Sequence, residues 1–357
     1  MTILIKLIDS DVSVLWDKYV YDHPCGTLYH LFSWKRVIEE TYAHKTYYLA
    51  AVNTNSGSAL TGILSLIHLK HFLFGNSLIS IPFFDMGGIL GDDEETEKTL
   101  LAEAIKLGKS LKVDSIEFRH TNTHSCFESS NLSYSMAYTS KKHKVRMLLG
   151  LPESSEALMQ SFKSKLRSQI NKSIKQGLET KIGGKELLDK FYKVFLINMR
   201  DLGSPVHSKK LFQKVLEQFN EHTRIIIVHK NNKPYAASIV SGFRETLENP
   251  WSSSLRKFSQ LSPNMLLYWT MLEYACDNGY KYFDFGRSTP KEGTYRFKQQ
   301  WGANPEPLHW QYIFLNGKPV EDVSEKSKFS MAIQCWQKLP VSVTGILGPM
   351  IRKNIGL

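Results

Sequence analysis

At 357 residues and 42% hydrophobic side chains, the chain is long enough for two domains with a sizeable core, and its formal charge of +11 with a pI near 9.2 points to an anionic partner: RNA, a phosphorylated substrate or an acidic membrane surface. Cys25, Cys126, Cys276 and Cys335 lie far apart and exclude a paired zinc-type spacing, while no stretch of about 18 apolar residues predicts a spanning helix. Asp9, Asp11 and Asp17 interrupt any signal-like run at the N-terminus, so the expected location is cytoplasmic, with peripheral contact to the inner membrane left open.

The first 45 residues read as mixed helix and loop, and Phe32-Ser33-Trp34-Lys35-Arg36-Val37-Ile38 starts an amphipathic helix with Ser33 as its N-cap. Two β runs, at 46–52 and 60–69, flank the turn-rich Asn53-Thr54-Asn55-Ser56-Gly57-Ser58 and predict a hairpin. A strand at 77–81 leads to Gly87-Gly88, which permit a tight turn or a close backbone approach. A helix over 94–110 carries acids in its first turn and Lys106 and Lys109 near its end, and a strand at 113–119 comes next.

The segment 152–176 differs in kind. A helix begins at Pro152-Glu153-Ser154 and continues with Phe162, Leu166, Ile170 and Ile174 as one narrow apolar stripe; the rest is basic, and Gly177 suits its C-cap. Such a face can track a nucleic-acid backbone or simply be solvated. Then the earlier order recurs: helices at 184–200 and 208–221, strands at 223–229 and 235–243, a strand at 250–255, a helix over 263–278 and a strand at 280–285. Phe118-Arg119-His120-Thr121 echoes Phe285-Gly286-Arg287-Ser288-Thr289, and an internal duplication of an α/β unit is the economical account. In the tail, Phe329, Ala332, Ile333 and Trp336 share one helical face, and Gly345, Gly348 and Pro349 are expected to break any helix beyond it. A helix packed on the body fits this composition better than a membrane-surface anchor.

The chemistry is expected around Tyr282-Phe283-Asp284-Phe285-Gly286-Arg287-Ser288-Thr289, a strand opening into a polar loop with Arg287, Lys291, Tyr295, Arg296 and Lys298. Classical nucleophile, phosphate-loop and metal patterns are missing. Cations beside aromatics suit anionic substrates and developing negative charge.

Lys165-Leu166-Arg167-Ser168-Gln169-Ile170 running to Gly177-Leu178, Met199-Arg200-Asp201-Leu202-Gly203-Ser204-Pro205, Ser262-Pro263-Asn264-Met265-Leu266-Leu267-Tyr268-Trp269 and the run from Gly293 to Gly302 together resemble the FemAB-type acyltransferases. The nearest branch is the FemAB-related one associated with exopolysaccharide loci and the PEP-CTERM/exosortase system, and the resemblance extends from about Trp34 to the tail. It implies a mixed α/β fold of two tandem GNAT-like domains, at 1–150 and 151–320, with a helical tail at 321–357. Characterised members of the family add amino acids from aminoacyl-tRNA to a peptidoglycan precursor, and related GNAT domains use acyl-CoA.

By that resemblance Phe297-Lys298 is the aromatic–lysine pair at the acyl-transfer centre, with Lys298 on the oxyanion. Lys35 or Arg36 falls where the family binds substrate phosphate, and Arg200 at the second phosphate position. Arg287 and Tyr295 are candidate substrate contacts, and Asp284 is either a proton acceptor or a partner of strand amides. The expected activity is an N-acyl or aminoacyl transfer to an amine of a lipid- or sugar-linked envelope precursor. It needs no metal and no tightly bound cofactor, the donor being aminoacyl-tRNA or acyl-CoA. The alternatives are an acyl-CoA-dependent N-acyltransferase acting on an amino sugar and a non-catalytic binding module; DNA is not an expected partner.

Overall fold

The computed structural model describes residues 3–9, 12–54, 59–127, 137–317 and 330–356, so the turn residues Asn55–Ser58 and Phe329 lie outside the described residues. In chain order the elements begin with β1 (Ile3–Leu7), α1 (Ser13–Asp22), α2 (Ser33–Tyr42), β2 (Lys45–Asn53), β3 (Ala59–His71), β4 (Gly75–Ile79), β5 (Leu90–Gly91), α3 (Glu94–Ser110), β6 (Ser115–His120), β7 (Ala137–Lys141) and β8 (Val145–Gly150). They continue with α4 (Ser155–Ser161), α5 (Ser164–Lys175), β9 (Glu179–Gly183), α6 (Leu188–Leu202), α7 (Lys209–Gln218), β10 (Thr223–Lys230), β11 (Lys233–Phe243), β12 (Thr246–Ser254) and α8 (Pro263–Asp277). The last are β13 (Tyr282–Ser288), α9 (Gly293–Gln299), β14 (Asn304–Pro307), β15 (His309–Phe314), α10 (Ser330–Lys338) and α11 (Val341–Arg352).

Two compact units result, one from the chain up to Val145 with Pro307–Glu321 and Lys353–Leu357, the other from Arg146–Glu306 and Asp322–Arg352. The first sheet runs β1-β2-β3-β4-β6-β15-β7, with β5 on β3, and the second β9-β10-β11-β12-β13-β8-β14. In each, the first four strands pair antiparallel and the fourth pairs parallel with the fifth. Two helices separate the first two strands of each sheet, and one separates the fourth from the fifth. The duplicated order expected from sequence is therefore present.

The sequence boundaries at 150 and 320 differ from these units because each sheet takes its sixth strand from beyond its own run of chain. β15 pairs with β6 through six registered positions, which places 309–314 in the first unit, and β8 enters the second sheet. Strands β7, β8, β9, β14 and β15 are short, four to six residues each.

In the first unit, Asp93 caps α3 by accepting from the Thr96 amide at 2.8 Å, and Leu100, Leu101 and Ala104 of that helix bury against Leu64, Leu66, Ile116 and Phe118. Ser33 is the first helical residue of α2 rather than its cap; Phe32 holds that place, and its amide donates to Asp17 instead. In the second unit α8 is buried almost all round, from Met265 to Leu272, as expected of a helix enclosed by its unit. Cys276 on it is buried, and burial pushes its thiol up to about 11, in keeping with a core thiol. The tail glycines do not break α11. Pro349 and Gly348 lie inside it, and Gly348 lets the helix backbone approach Val206, where a Cβ would stand 2.8 Å from Val206 Cγ1. Within the described residues, α10 and α11 pack against α6.

Two buried histidines make the first unit sensitive to acid. His120 accepts from the Ile89 amide at Nε2 (2.8 Å) and bonds Gln311 Oε1 through Nδ1 (2.7 Å), so a second proton would break the Ile89 bond. Burial holds its pKa well below the ordinary value, and lowers that of His30 to about 3. The unfolded chain takes up these protons near pH 6.5 while the folded chain does not, so stability is complete above that pH and falls as pH drops towards the folded values. Urea midpoints should fall between pH 7.5 and 5.5, with a slope approaching about 1.4 kcal/mol per pH unit for each histidine, and His120→Gln should flatten the dependence.

Candidate active site

The second unit opens where its parallel strands part. β12 and β13 pair through Thr246↔Tyr282, Leu247↔Phe283 and Glu248↔Asp284; beyond that β12 continues to Ser254 along β11, and β13 to Ser288. Two local features cause this. The register of β11 against β12 jumps from Ile239↔Trp251 to Ser241↔Glu248, so Asn249-Pro250 bulges out; Pro250 has no amide to give a ladder. On β13, Gly286 sits at φ +75°, a left-handed conformation inside a strand that a Cβ would strain. Asp284 Oδ1 accepts from the Gly286 amide at 2.7 Å and fixes that bend.

Lys298 meets this opening from α9. The stretch 293–302 expected as a loop is instead a short helix followed by a turn, and it carries Lys298 inward: the residue is 7% exposed and its Nζ donates to the carbonyls of Gly286 (2.9 Å) and Arg287 (2.8 Å). Phe297 lies edge-on to Tyr268 with ring centroids 4.9 Å apart, and Tyr268 stacks on Phe285 at 5.6 Å. Burial raises the Tyr268 pKa, partly offset by the bond between its hydroxyl and Ser252 Oγ. Tyr268, Trp269 and Trp301 are core side chains, whereas Tyr295 is half-buried.

Asp284 is 2% exposed, and Arg146 Nη1 stands 3.9 Å from its second oxygen. Arg146 also bonds Glu306 at 2.7 Å. Burial opposes the Arg146 charge, but the fields of Asp284, Glu306 and Glu248 outweigh it and raise its pKa. Asp284 therefore holds a turn and faces a guanidinium. Sequence reading missed Arg146, Glu248 and Asn249. Asn249 Oδ1 accepts from Ser238 at 2.8 Å, and its Nδ2 is buried at the bulge near the Tyr268 hydroxyl, whose pKa the Asn249 side chain helps to lower. A proline inside a central strand was the available signal.

The other expected contacts are not brought together by these bonds. Arg200, on α6, donates to Asp201 at 2.7 Å and to the Leu339 carbonyl at 3.1 Å. Lys35 and Arg36 belong to the first unit: Lys35 is held by Glu39 (2.8 Å) and Thr46 (3.0 Å), and Arg36, with its side chain 65% exposed, pairs with Glu40. Arg287 is half-buried on β13.

Two hollows adjoin the second unit's basic helix. The helix expected over 152–176 is in fact α4 and α5, broken where Phe162 and Lys163 turn extended; Leu166 and Ile170 are buried, but Ile174 is 48% exposed. Gly177 closes α5 with Gly177 N to Ile174 O and Leu178 N to Ser173 O, a Schellman pattern. A cleft of about 740 Å³ lies between the end of β8, this break and the turn after α9, with Lys163, Lys165, Gln169, Gln299 and Trp301 on its walls. A shallower groove of about 630 Å³ runs along Ser164, Arg167, Asn171, Lys172 and Lys175. No group of three or more metal-ligating side chains is found among the described residues.

The same place in the first unit is closed. There the parallel pair ends at Ile79↔Glu117, which aligns Glu117 with Asp284, and Arg119 with Gly286 rather than with Arg287. Arg119 is fully buried, donating to the carbonyls of Ile81 (3.0 Å), Phe84 and Gly356 (3.2 Å) and pairing with Glu117 at 2.8 Å. The hollow beside it, lined by His30, Gly88, Arg119 and His120, has about 10 Å³ of space, no more than a water occupies.

Residues 160–299 match the sequence model of the acetyltransferase (GNAT) domain, which is the open unit. Over 395 aligned positions the chain is 23% identical to a lipid II:glycine glycyltransferase of Staphylococcus haemolyticus (strain JCSC1435), covering 87% of this chain and 93% of that protein. Among solved structures, FemX superposes with a TM-score of 0.68 at 15% identity, over 93% of this chain and all of that one. A tandem GNAT protein from the clavulanic acid biosynthesis pathway superposes at 0.55 and 9% identity, over 89% of this chain and all of that one.

Proposed function

We propose that this chain, a FemAB-like acyltransferase of two tandem GNAT-like units, moves an aminoacyl group from an activated ester to an amine on a lipid- or sugar-linked envelope precursor. The observation that carries the reading is Lys298, an ammonium buried at the end of β13 where the β12 ladder has stopped. The amine attacks the ester carbonyl, an N–C bond forms and the C–O bond to the donor breaks. The proton lost by nitrogen ends on the leaving oxygen. Charge gathers on the carbonyl oxygen at the tetrahedral stage, and Lys298 together with the buried Asn249 amide stabilises it there. Phe297 and Tyr268 wall the position, and Asp284 with Arg146 keeps the Gly286 turn in shape. Arg287 and Tyr295 contact substrate. Arg200 of the second unit, and Lys35 or Arg36 of the first, are each candidate contacts for an acceptor phosphate, Arg36 being more exposed than Lys35. An exopolysaccharide precursor is one acceptor of this kind, a peptidoglycan precursor another.

The start of α8 favours aminoacyl-tRNA over acyl-CoA as donor. It begins at Ser262-Pro263 with Ser262 at φ +53°, no glycine-rich turn precedes it, and Pro263 offers no amide to a pyrophosphate. The Arg167, Lys172 and Lys175 face supplies cations for a nucleic-acid backbone instead. If those three each meet a phosphate, tRNA affinity should fall about twenty- to fortyfold between 50 and 200 mM salt, and Lys172→Glu with Lys175→Glu should remove most of that slope. Filter binding with aminoacylated tRNA measures it. Salt-insensitive coenzyme A binding with no tRNA binding would assign the site to an acyl-CoA donor acting on an amino sugar.

A further inference from the structure

The hairpin that joins β3 to β4 breaks the usual chemistry of turns. His71 pairs with Gly75, so the tip is Phe72-Leu73-Phe74, and these are 88%, 70% and 41% exposed. Tight turns ordinarily take Gly, Asn, Asp, Pro or Ser, and three consecutive large apolar side chains in water are unfavourable. The tip is also built to hold them outward. His71 Nδ1 accepts from the Leu73 amide at 3.2 Å, and its ring lies 4.7 Å from Phe72 and 5.0 Å from Phe74.

Cations lie below this tip, along the base of the hairpin. Lys70 pairs across the hairpin with Asn76, whose Nδ2 donates to the Lys112 carbonyl at 2.8 Å. His68 bonds Asn76 Oδ1 at 2.6 Å, and Lys45 is its neighbour on β2. Lys45, Lys70 and Lys112 are all exposed. The Asp114 carboxylate also reaches this place, accepting from the Asn76 amide at 3.2 Å.

We infer that this hairpin is a membrane-docking device, with Phe72, Leu73 and Phe74 entering the interface of an anionic phospholipid bilayer and the lysines meeting its headgroups. An apolar tip above a cationic base is complementary to that surface: acyl chains take the side chains and phosphates take the ammonium groups. No helix of the described residues is long and apolar enough to cross a membrane, so attachment through this hairpin would be peripheral. The inference does not depend on acyl transfer, and vesicle binding can be tested without a substrate.

The test is co-sedimentation of the full chain with vesicles of phosphatidylcholine alone and of phosphatidylcholine mixed with phosphatidylglycerol. Binding is expected to the mixed vesicles and to be much weaker to the zwitterionic ones. Phe72→Ser with Leu73→Ser should lower partitioning about thirtyfold or more, and Lys70→Ser or Lys112→Ser about fivefold each, with unfolding midpoints unchanged. Failure of the wild type to sediment with either vesicle, or sedimentation of the Phe72→Ser/Leu73→Ser variant like wild type, would overturn it. So would a lipid-free dimer in sedimentation velocity that this variant abolishes, since the tip would then belong to a second copy of the chain.

Discussion

Lys298→Met is expected to lower turnover by about a hundredfold or more while leaving the acceptor KM near its wild-type value. The ammonium is the buried positive charge at the end of β13, and removing one such oxyanion donor costs about 3 kcal/mol of transition-state stabilisation. Because Nζ also holds the Gly286 and Arg287 carbonyls, the variant should lose stability as well, by about 1–3 kcal/mol. The two effects separate in Lys298→Arg, which keeps the charge and can bond both carbonyls but cannot place a compact ammonium. It should recover most of the stability and little of the rate. Single-turnover kinetics with an aminoacylated donor and urea unfolding of both variants supply the readings. Turnover of Lys298→Met within a factor of two of wild type would move the acyl-transfer centre elsewhere.

Arg119→Met should act on stability. In the first unit the guanidinium is fully buried, pairs with Glu117, donates to three carbonyls and lies 4.8 Å from the Trp310 ring. Its removal leaves a mostly buried carboxylate and those carbonyls without their donor, an effect of about 3–5 kcal/mol. Arg119→Lys, with one ammonium for several acceptors, should lose roughly half as much. Denaturant unfolding followed by first-unit fluorescence would measure this, and a loss under about 0.5 kcal/mol would contradict the account.

The contrast between Lys298 and Arg119 bears on what the sequence could disclose. Apolar runs and the Asn/Gly turns made most long strands and α3 and α8 legible, and the repeated order of those elements revealed the duplication. The arginine echo was real in letters but misaligned by one residue, because register is set by ladder pairs and not by matching side chains. Lys298 was legible as a candidate through the family resemblance and the cations and aromatics around it; that it turns inward depends on α9, whose seven residues give no clear period. Asn249 stayed hidden because a bulge is a relation between two strands. The break at Phe162 and Lys163 was hidden too: each residue suits a helix, and the buried Phe162, edge-on to Trp301, belongs to a contact 139 residues away (301 − 162).

The reciprocal sixth strands have a consequence for synthesis. β6 ends at His120 and its partner β15 begins at His309, a separation of 189 residues (309 − 120). At about 5–20 residues per second, the ribosome needs roughly 10–40 s to supply that strand. Meanwhile the nascent first sheet ends in an open edge on β6, and β7, placed in the sheet by β15, has no strand to pair with; both are templates for wrong pairing. The second sheet, already holding β8 from upstream, is complete once Pro307 has emerged. The half made first is therefore the half finished last, and a stop codon between β7 and β15 leaves β6 as an open edge and β7 without the strand that joins it to the sheet.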